Sequence, residues 1–165
     1  MKNRDVQRYV AIKERLQREA LGERVPGLFS KVHEWLAQNS VVTAGPPLIR
    51  YLVIDYNSGQ VEIDAGVPVA SAVPDHARIH PGKIPGGLCA TVIHQGSYVD
   101  LMDTTAKLLA WGKEHNIRWQ MTEESKVIRW SGRIEHYLVG PTANPNPEDW
   151  RTEIAILLAG SENRR

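Results

Sequence analysis

A single cysteine, Cys89, and a single phenylalanine, Phe29, stand among 165 residues. One thiol excludes an intrachain disulfide. Its place in the apolar run Leu88-Cys89-Ala90-Thr91-Val92-Ile93 reads as a buried, inert side chain of a cytoplasmic protein rather than a nucleophile. Net charge is equally spare. Twenty basic and 19 acidic residues leave +1, with no electrostatic footprint for nucleic acid or an anionic membrane. No window approaches the roughly 20 apolar residues of a membrane span. No apolar signal region follows Met1-Lys2-Asn3-Arg4-Asp5. A Gly-rich phosphate loop, a nucleophile elbow and a zinc signature are all missing, so neither cofactor nor metal is expected. His76 and His80 are four apart, but Pro74 and Pro81 flank them and favour a loop over a ligating helix.

What is present suits one soluble globular domain, with length enough for a core. Tryptophan is frequent, with five copies. The stretch from Leu88 to Leu158 organises the chain. After the apolar run comes the turn His94-Gln95-Gly96-Ser97-Tyr98, and Ser97 with Asp100 has capping-box spacing. Leu101, Thr105, Leu108, Leu109 and Gly112 then recur at helical intervals, with Asp100, Asp103, Lys107 and Glu114 opposite. Asn116 suits a helix terminator. Two strands follow. In Arg133 to Val139, Ile134 and Leu138 alternate with Glu135, Tyr137 and Val139. In Thr152 to Leu158, Ile154, Ile156 and Leu158 alternate with Glu153, Ala155 and Leu157. The simplest assembly lays the helix on the Ile/Leu faces and leaves Glu135, Tyr137 and Glu153 together on the second face. Alternation by itself favours these three as ordinary surface residues, since most glutamates are exposed, over a pocket with a carboxylate inside.

The first half reads similarly. Arg8 to Leu16 is a strand, and the mixed charges from Lys13 to Arg24 look solvated. Val25-Pro26-Gly27 introduces a helix from Leu28 to about Gln38, ended by Asn39-Ser40. Arg50 to Tyr56 alternates, with Leu52 and Ile54 opposite Tyr51 and Val53. Asn57-Ser58-Gly59 is a hairpin turn into Gln60 to Val69, which carries Glu62. Ala70 to Gly87 is a connection with an irregular strand near Ala77 to His80. Each half is a strand-helix-strand-strand unit. Leu48-Ile49-Arg50-Tyr51 matches Ile134-Glu135-His136-Tyr137, and Val61-Glu62-Ile63 matches Thr152-Glu153-Ile154. Two such units, about 5–70 and 86–158 within a single domain 1–165, would pair about a pseudo-two-fold axis with a cleft between them, a common place for a ligand.

Several short motifs in order resemble the GyrI-like small-molecule-binding domains, the effector-binding domains of AraC-type and MerR-type multidrug regulators (an SHS2-type fold). They are Ala44-Gly45-Pro46-Pro47 to Tyr51, Val61 to Val69, Ile84-Pro85-Gly86-Gly87, His94 to Tyr98, Ile134 to Tyr137, and Trp150 to Ile154. The resemblance covers almost the whole chain. It implies an α+β fold, a duplicated βαββ with a curved antiparallel sheet, two helices on its convex face and a ligand cleft on the other side. It also implies a pocket carboxylate among aromatic rings, matched by Glu153, with Glu135, Tyr137 and Tyr51 beside it. Tyr98 and Trp130 complete the expected ligand set, and Trp119 and Trp150 could wall the cleft. Regulators of this family carry a DNA-binding domain, and this chain shows no segment for one. The expectation is therefore a stand-alone member or the ligand domain of a longer protein, possible as a homodimer, touching no nucleic acid itself.

Three functions follow as expectations. The first is binding of amphipathic, often cationic or planar molecules by a carboxylate and ring faces. The second is hydrolysis of reactive cyclopropane-containing molecules. Glu153 would act as general base, and Glu135 or Tyr137 would orient water or donate a proton. The third is inhibition of gyrase by protein contact, which the near-neutral charge disfavours.

Overall fold

The turn Asn57-Ser58-Gly59 shows how local chemistry starts this fold. Asp55 Oδ1 accepts from the backbone N–H of Asn57 at 2.9 Å and of Ser58 at 3.3 Å, and Gly59 sits at φ 73°. An L side chain resists that left-handed conformation, whereas glycine adopts it freely. The turn joins two long strands of one antiparallel sheet. The structure is a computed structural model and describes residues 1–160.

The strands are β1 (Lys2–Arg4), β2 (Gln7–Gln17), β3 (Leu48–Asp55), β4 (Gln60–Pro68), β5 (His80–Ile84), β6 (Gly87–Gln95), β7 (Met121–Glu124), β8 (Val127–Trp130), β9 (Arg133–Val139) and β10 (Arg151–Leu157). Helix α1 (Leu21–Gln38) follows β2, and α2 (Leu101–Glu114) follows β6. The sheet order is β1-β6-β10-β9-β3-β4-β2-β5, with the β7–β8 hairpin joined to β3. This order is symmetric about the β9–β3 seam: β10 mirrors β4, β6 mirrors β2, and β1 mirrors β5. The duplicated βαββ unit is therefore present, each copy extended by one short strand. Among the described residues no helix is long and apolar enough to cross a membrane.

Directly paired residues of antiparallel neighbours share a face. On one face, Ile63, Ala65, Ile49, Ile154, Ile156 and Ala90 pack against Val25 and Leu28 of α1 and Leu101 and Leu108 of α2. Val10 and Val67 continue that face under Val32 and Leu36. On the other face, Tyr9, Ala11, Leu48 and Ile134 form their own core, with no helix over it. The sheet buries this face by curling. β1 lies at one end of the order and β2 near the other, yet only Asp5 and Val6 separate them in the chain. Close packing inside the curl requires glycine at two places. A Cβ on Gly66 would lie 2.7 Å from the Val10 carbonyl oxygen, and one on Gly82 would lie 2.4 Å from the Tyr9 ring.

Several local expectations are corrected. Helix α1 begins at Leu21, not Leu28, so Pro26 lies inside it. Pro26 leaves the Gly22 carbonyl without its usual donor, but burial of Val25 against the sheet holds the extra turns in place. A register shift between Tyr51 and Val53 makes Leu52 an extra, bulged residue. Ile54 then joins Tyr51 on the helix-bearing face rather than opposing it. The irregular strand of the connection runs from His80 to Ile84, just after the expected stretch. Asp100 makes no capping bond, whereas the Ser97 hydroxyl oxygen accepts from the Val99 N–H. The internal match of the last strands shifts by two residues. Arg50 pairs with Asp64 and His136 with Glu153, so the counterpart of Glu153 is Asp64, not Glu62.

Candidate functional site

At the β9–β3 seam Ile49 faces Glu135 directly. Tyr51 and Tyr137 stand one step beyond on either side, as counterparts under the pseudo-two-fold axis. Both tyrosines turn their hydroxyls onto the one carboxylate. Tyr51 Oη donates to Glu135 Oε1 at 3.1 Å, and Tyr137 Oη donates to Oε2 at 2.5 Å. A glutamate replacing the Ile49-type residue in one half thus meets two tyrosines supplied by both halves. Glu135 and Tyr51 are each only 8% exposed.

Aromatic rings close over this group. Tyr137 meets Phe29 of α1 at 5.7 Å and Tyr98, just before α2, at 5.5 Å, both edge to face. Tyr98 in turn lies 4.8 Å from Trp150. On the other flank the Arg133 guanidinium lies 5.3 Å from the Tyr51 ring centroid and 5.0 Å from that of Trp130. Arg133 and Glu135 are two apart on one strand, so strand alternation puts them on the same face. Burial pushes the Glu135 carboxyl above its ordinary value, while the Tyr137 hydrogen bond and the Arg133 charge pull it back. Burial, reinforced by the Glu135 charge, holds the Tyr51 and Tyr137 hydroxyls well above the usual tyrosine range. Tyr98 is raised for the same two reasons.

The structure therefore brings together Glu135, Tyr51, Tyr137 and Tyr98, with Trp130 behind Arg133. It does not bring Glu153 to them. Glu135 pairs with Ile154, whereas Glu153 pairs with His136 and Ile93. The two glutamates lie on opposite faces. The tyrosine cluster lies on the face that carries α1 and α2, while Glu153 lies on the helix-free face. Glu153 Oε1 accepts from Arg4 Nη2 at 2.5 Å, and Lys2 Nζ lies 3.7 Å from Oε2. A small cavity on that side is lined by Arg4, Ile84, Cys89, Ile134 and His136, among others. Burial raises the Cys89 thiol there.

Other flagged side chains have structural partners. His94 bonds the Thr104 hydroxyl at 2.6 Å and the Ser97 carbonyl at 2.9 Å, pinning the turn into α2. His76 lies against Trp35, and His80 Nε2 lies 3.0 Å from Asp64 Oδ1. Trp119 packs against Gly112, where a Cβ would come within 2.2 Å of its ring. Trp150 Nε1 donates to the Asn144 carbonyl at 2.8 Å. Sequence reasoning missed Arg133 and Phe29. Arg133 was legible as the same-face neighbour of Glu135. Phe29 had no signal beyond its place on an apolar helix stripe.

The profile of the GyrI-like small molecule binding domain matches residues 1–159. This chain belongs to the GyrI-like family of small-molecule-binding domains. No curated protein matches it by sequence. Among solved structures, the EcmrR C-terminal domain is similar with a TM-score of 0.71 and 15% identity, over 95% of this chain and 94% of that one. EcmrR in complex with DNA is similar with a TM-score of 0.74 and 16% identity, and there the match spans 95% of this chain and 55% of the EcmrR chain. SAV2435 bound to tetraphenylphosphonium is similar with a TM-score of 0.59 and 14% identity, over 96% and 92% of the two chains. At these identities the likeness is one of fold.

Proposed function

We propose that this domain binds amphipathic aromatic small molecules between its two helices, with a cationic centre set against Glu135. The observation that carries the reading is a buried carboxylate whose two oxygens are held by tyrosines from the two halves, under a lid of further rings. A cation there gains the carboxylate charge together with ring faces worth about 0.5–2 kcal/mol each. Phe29 and Tyr98 meet Tyr137 only edge to face, so rotating these two opens space over the Tyr137–Glu135 pair without breaking a strand. Family membership and the tetraphenylphosphonium held by SAV2435 support the ligand class. Joined to a DNA-binding domain, such a site would act as an effector sensor.

The test is titration with tetraphenylphosphonium followed by tryptophan fluorescence. Glu135→Gln keeps the shape and removes the charge, and it should weaken binding at least tenfold, about 1.4 kcal/mol. Equal affinity in the two proteins would sink the assignment. A second reading is favoured by the raised Glu135 carboxyl, which suits a general base for water. In that case a cyclopropane-bearing alkylating agent incubated with the protein is recovered with one water added, and recovered unchanged from Glu135→Gln. Mass spectrometry of the compound decides this.

A further inference from the structure

We infer that the site is built for an amphiphile that carries a carboxylate or similar acceptor as well as a cation, and that Arg133 with Trp130 receives the acceptor group. The inference rests on the reading of the Glu135 cluster as a ligand site. Its basis is the pair of buried donors next to that cluster. Arg133 is 5% exposed and Trp130 is 6% exposed. Among the described residues, Arg133 Nη1 and Trp130 Nε1 find no hydrogen-bond partner. Both belong to side chains in mutual contact, since the guanidinium lies 5.0 Å from the indole centroid. Buried donors are rarely left unpaired, and a buried guanidinium with an open N–H is the most costly kind.

Charge balance points the same way. The site holds one carboxylate, Glu135, and one buried guanidinium, Arg133, and the half-buried Arg18 adds a second positive charge that acts on both. Glu135 and Arg133 moderate each other. A ligand bringing only a cation takes up the Glu135 charge and leaves Arg133 buried without an answering anion, which is unfavourable in a desolvated place. A ligand bringing a cation and a carboxylate answers Glu135 and Arg133 together. Two neighbouring N–H groups, one of them charged, suit a carboxylate by charge-assisted hydrogen bonding. Tyr51 touches both groups, because its hydroxyl bonds Glu135 while the Arg133 guanidinium lies over its ring. The favoured ligand is therefore an aromatic zwitterion that carries its cation and its carboxylate on one rigid framework.

Rhodamine 19 and its ethyl ester rhodamine 6G test this, because they share one planar cation and differ in the free carboxylate. Fluorescence polarisation at pH 7.5 should show the acid binding at least tenfold more tightly than the ester. Arg133→Met should abolish that preference. Trp130→Phe, which keeps the packing and removes one N–H, should narrow it severalfold. Glu135→Gln should weaken both dyes and keep the preference. Equal affinity of acid and ester for the unmodified protein overturns the inference and leaves the cation site standing. A preference that survives both Arg133→Met and Trp130→Phe also overturns it. If neither dye binds protein with a cooperative thermal transition, the inference fails together with the reading beneath it.

Discussion

Glu135 and Glu153 are both buried glutamates, and the chain answers them in opposite ways. Glu135 is held by two tyrosine hydroxyls, which stay protonated and donate to its two oxygens. Glu153 is held by cations from β1, Arg4 and Lys2. Of the two cations, Arg4 also acts on His136, whose Nε2 lies 3.5 Å from Arg4 Nη1. Burial, then Arg4, depresses His136 to about 4 from 6.5. It is therefore neutral in the folded protein, while the unfolded chain takes up a proton below about pH 6.5. Its contribution to stability is full above that pH and falls as pH drops toward 4. The slope is at most about 1.4 kcal/mol per pH unit. Glu135, raised by burial, works in the opposite direction, so the two are separated by variant. Urea unfolding of the parent and of His136→Gln between pH 4 and 7 should show a shallower acid loss in the variant. Parallel curves would remove His136 from the account.

Among the elements, the two helices stop in the same way. Ser40 and Asn116 take φ 54° and 55°. The Val41 N–H then reaches the Leu36 carbonyl at 3.0 Å, and the Ile117 N–H reaches the Gly112 carbonyl at 2.8 Å. Asparagine tolerates this conformation and serine does so less well. Ser40→Gly should raise stability by about 1 kcal/mol, and Asn116→Gly by less, read as shifts in urea midpoint. No gain at Ser40 would mean that chain entropy offsets the strain. In the sheet, Gly66 lies where a Cβ meets backbone that cannot move aside. Gly66→Ala should lower stability by about 2 kcal/mol, and an unchanged midpoint would show that the strand can slide.

At the scale of the molecule, the curl of the sheet depends on the chain crossing from β1, paired with β6, to β2 through only two intervening residues. Arg4 and Lys2 fasten that crossing to β10 through Glu153. Glu153→Gln should therefore loosen the closure, costing about 2 kcal/mol in thermal or urea unfolding. It should leave tetraphenylphosphonium affinity within about twofold, because the group lies on the other face of the sheet. A large loss of ligand affinity with little loss of stability would put the binding carboxylate back at Glu153.

The sequence by itself determined the strand-helix-strand-strand unit, its repetition, the hairpin at Gly59 and the helix stops. Each depends on periodicity or on a turn residue acting over a few positions. In strands without a bulge it also determined which residues share a face, so Glu135 with Tyr137 was legible. Tertiary structure decided how neighbouring strands are offset. Glu135 pairs with Ile154, not Glu153, and a one-residue step in register exchanges the faces of every side chain. That step separates the two glutamates, draws Tyr51 from the other half onto Glu135, and sets Arg133 against Tyr51 and Trp130. The bulge at Leu52 and the crossing of β1 are likewise long-range. Register depends on the summed burial of two faces and on distant turns, and no single strand carries that sum.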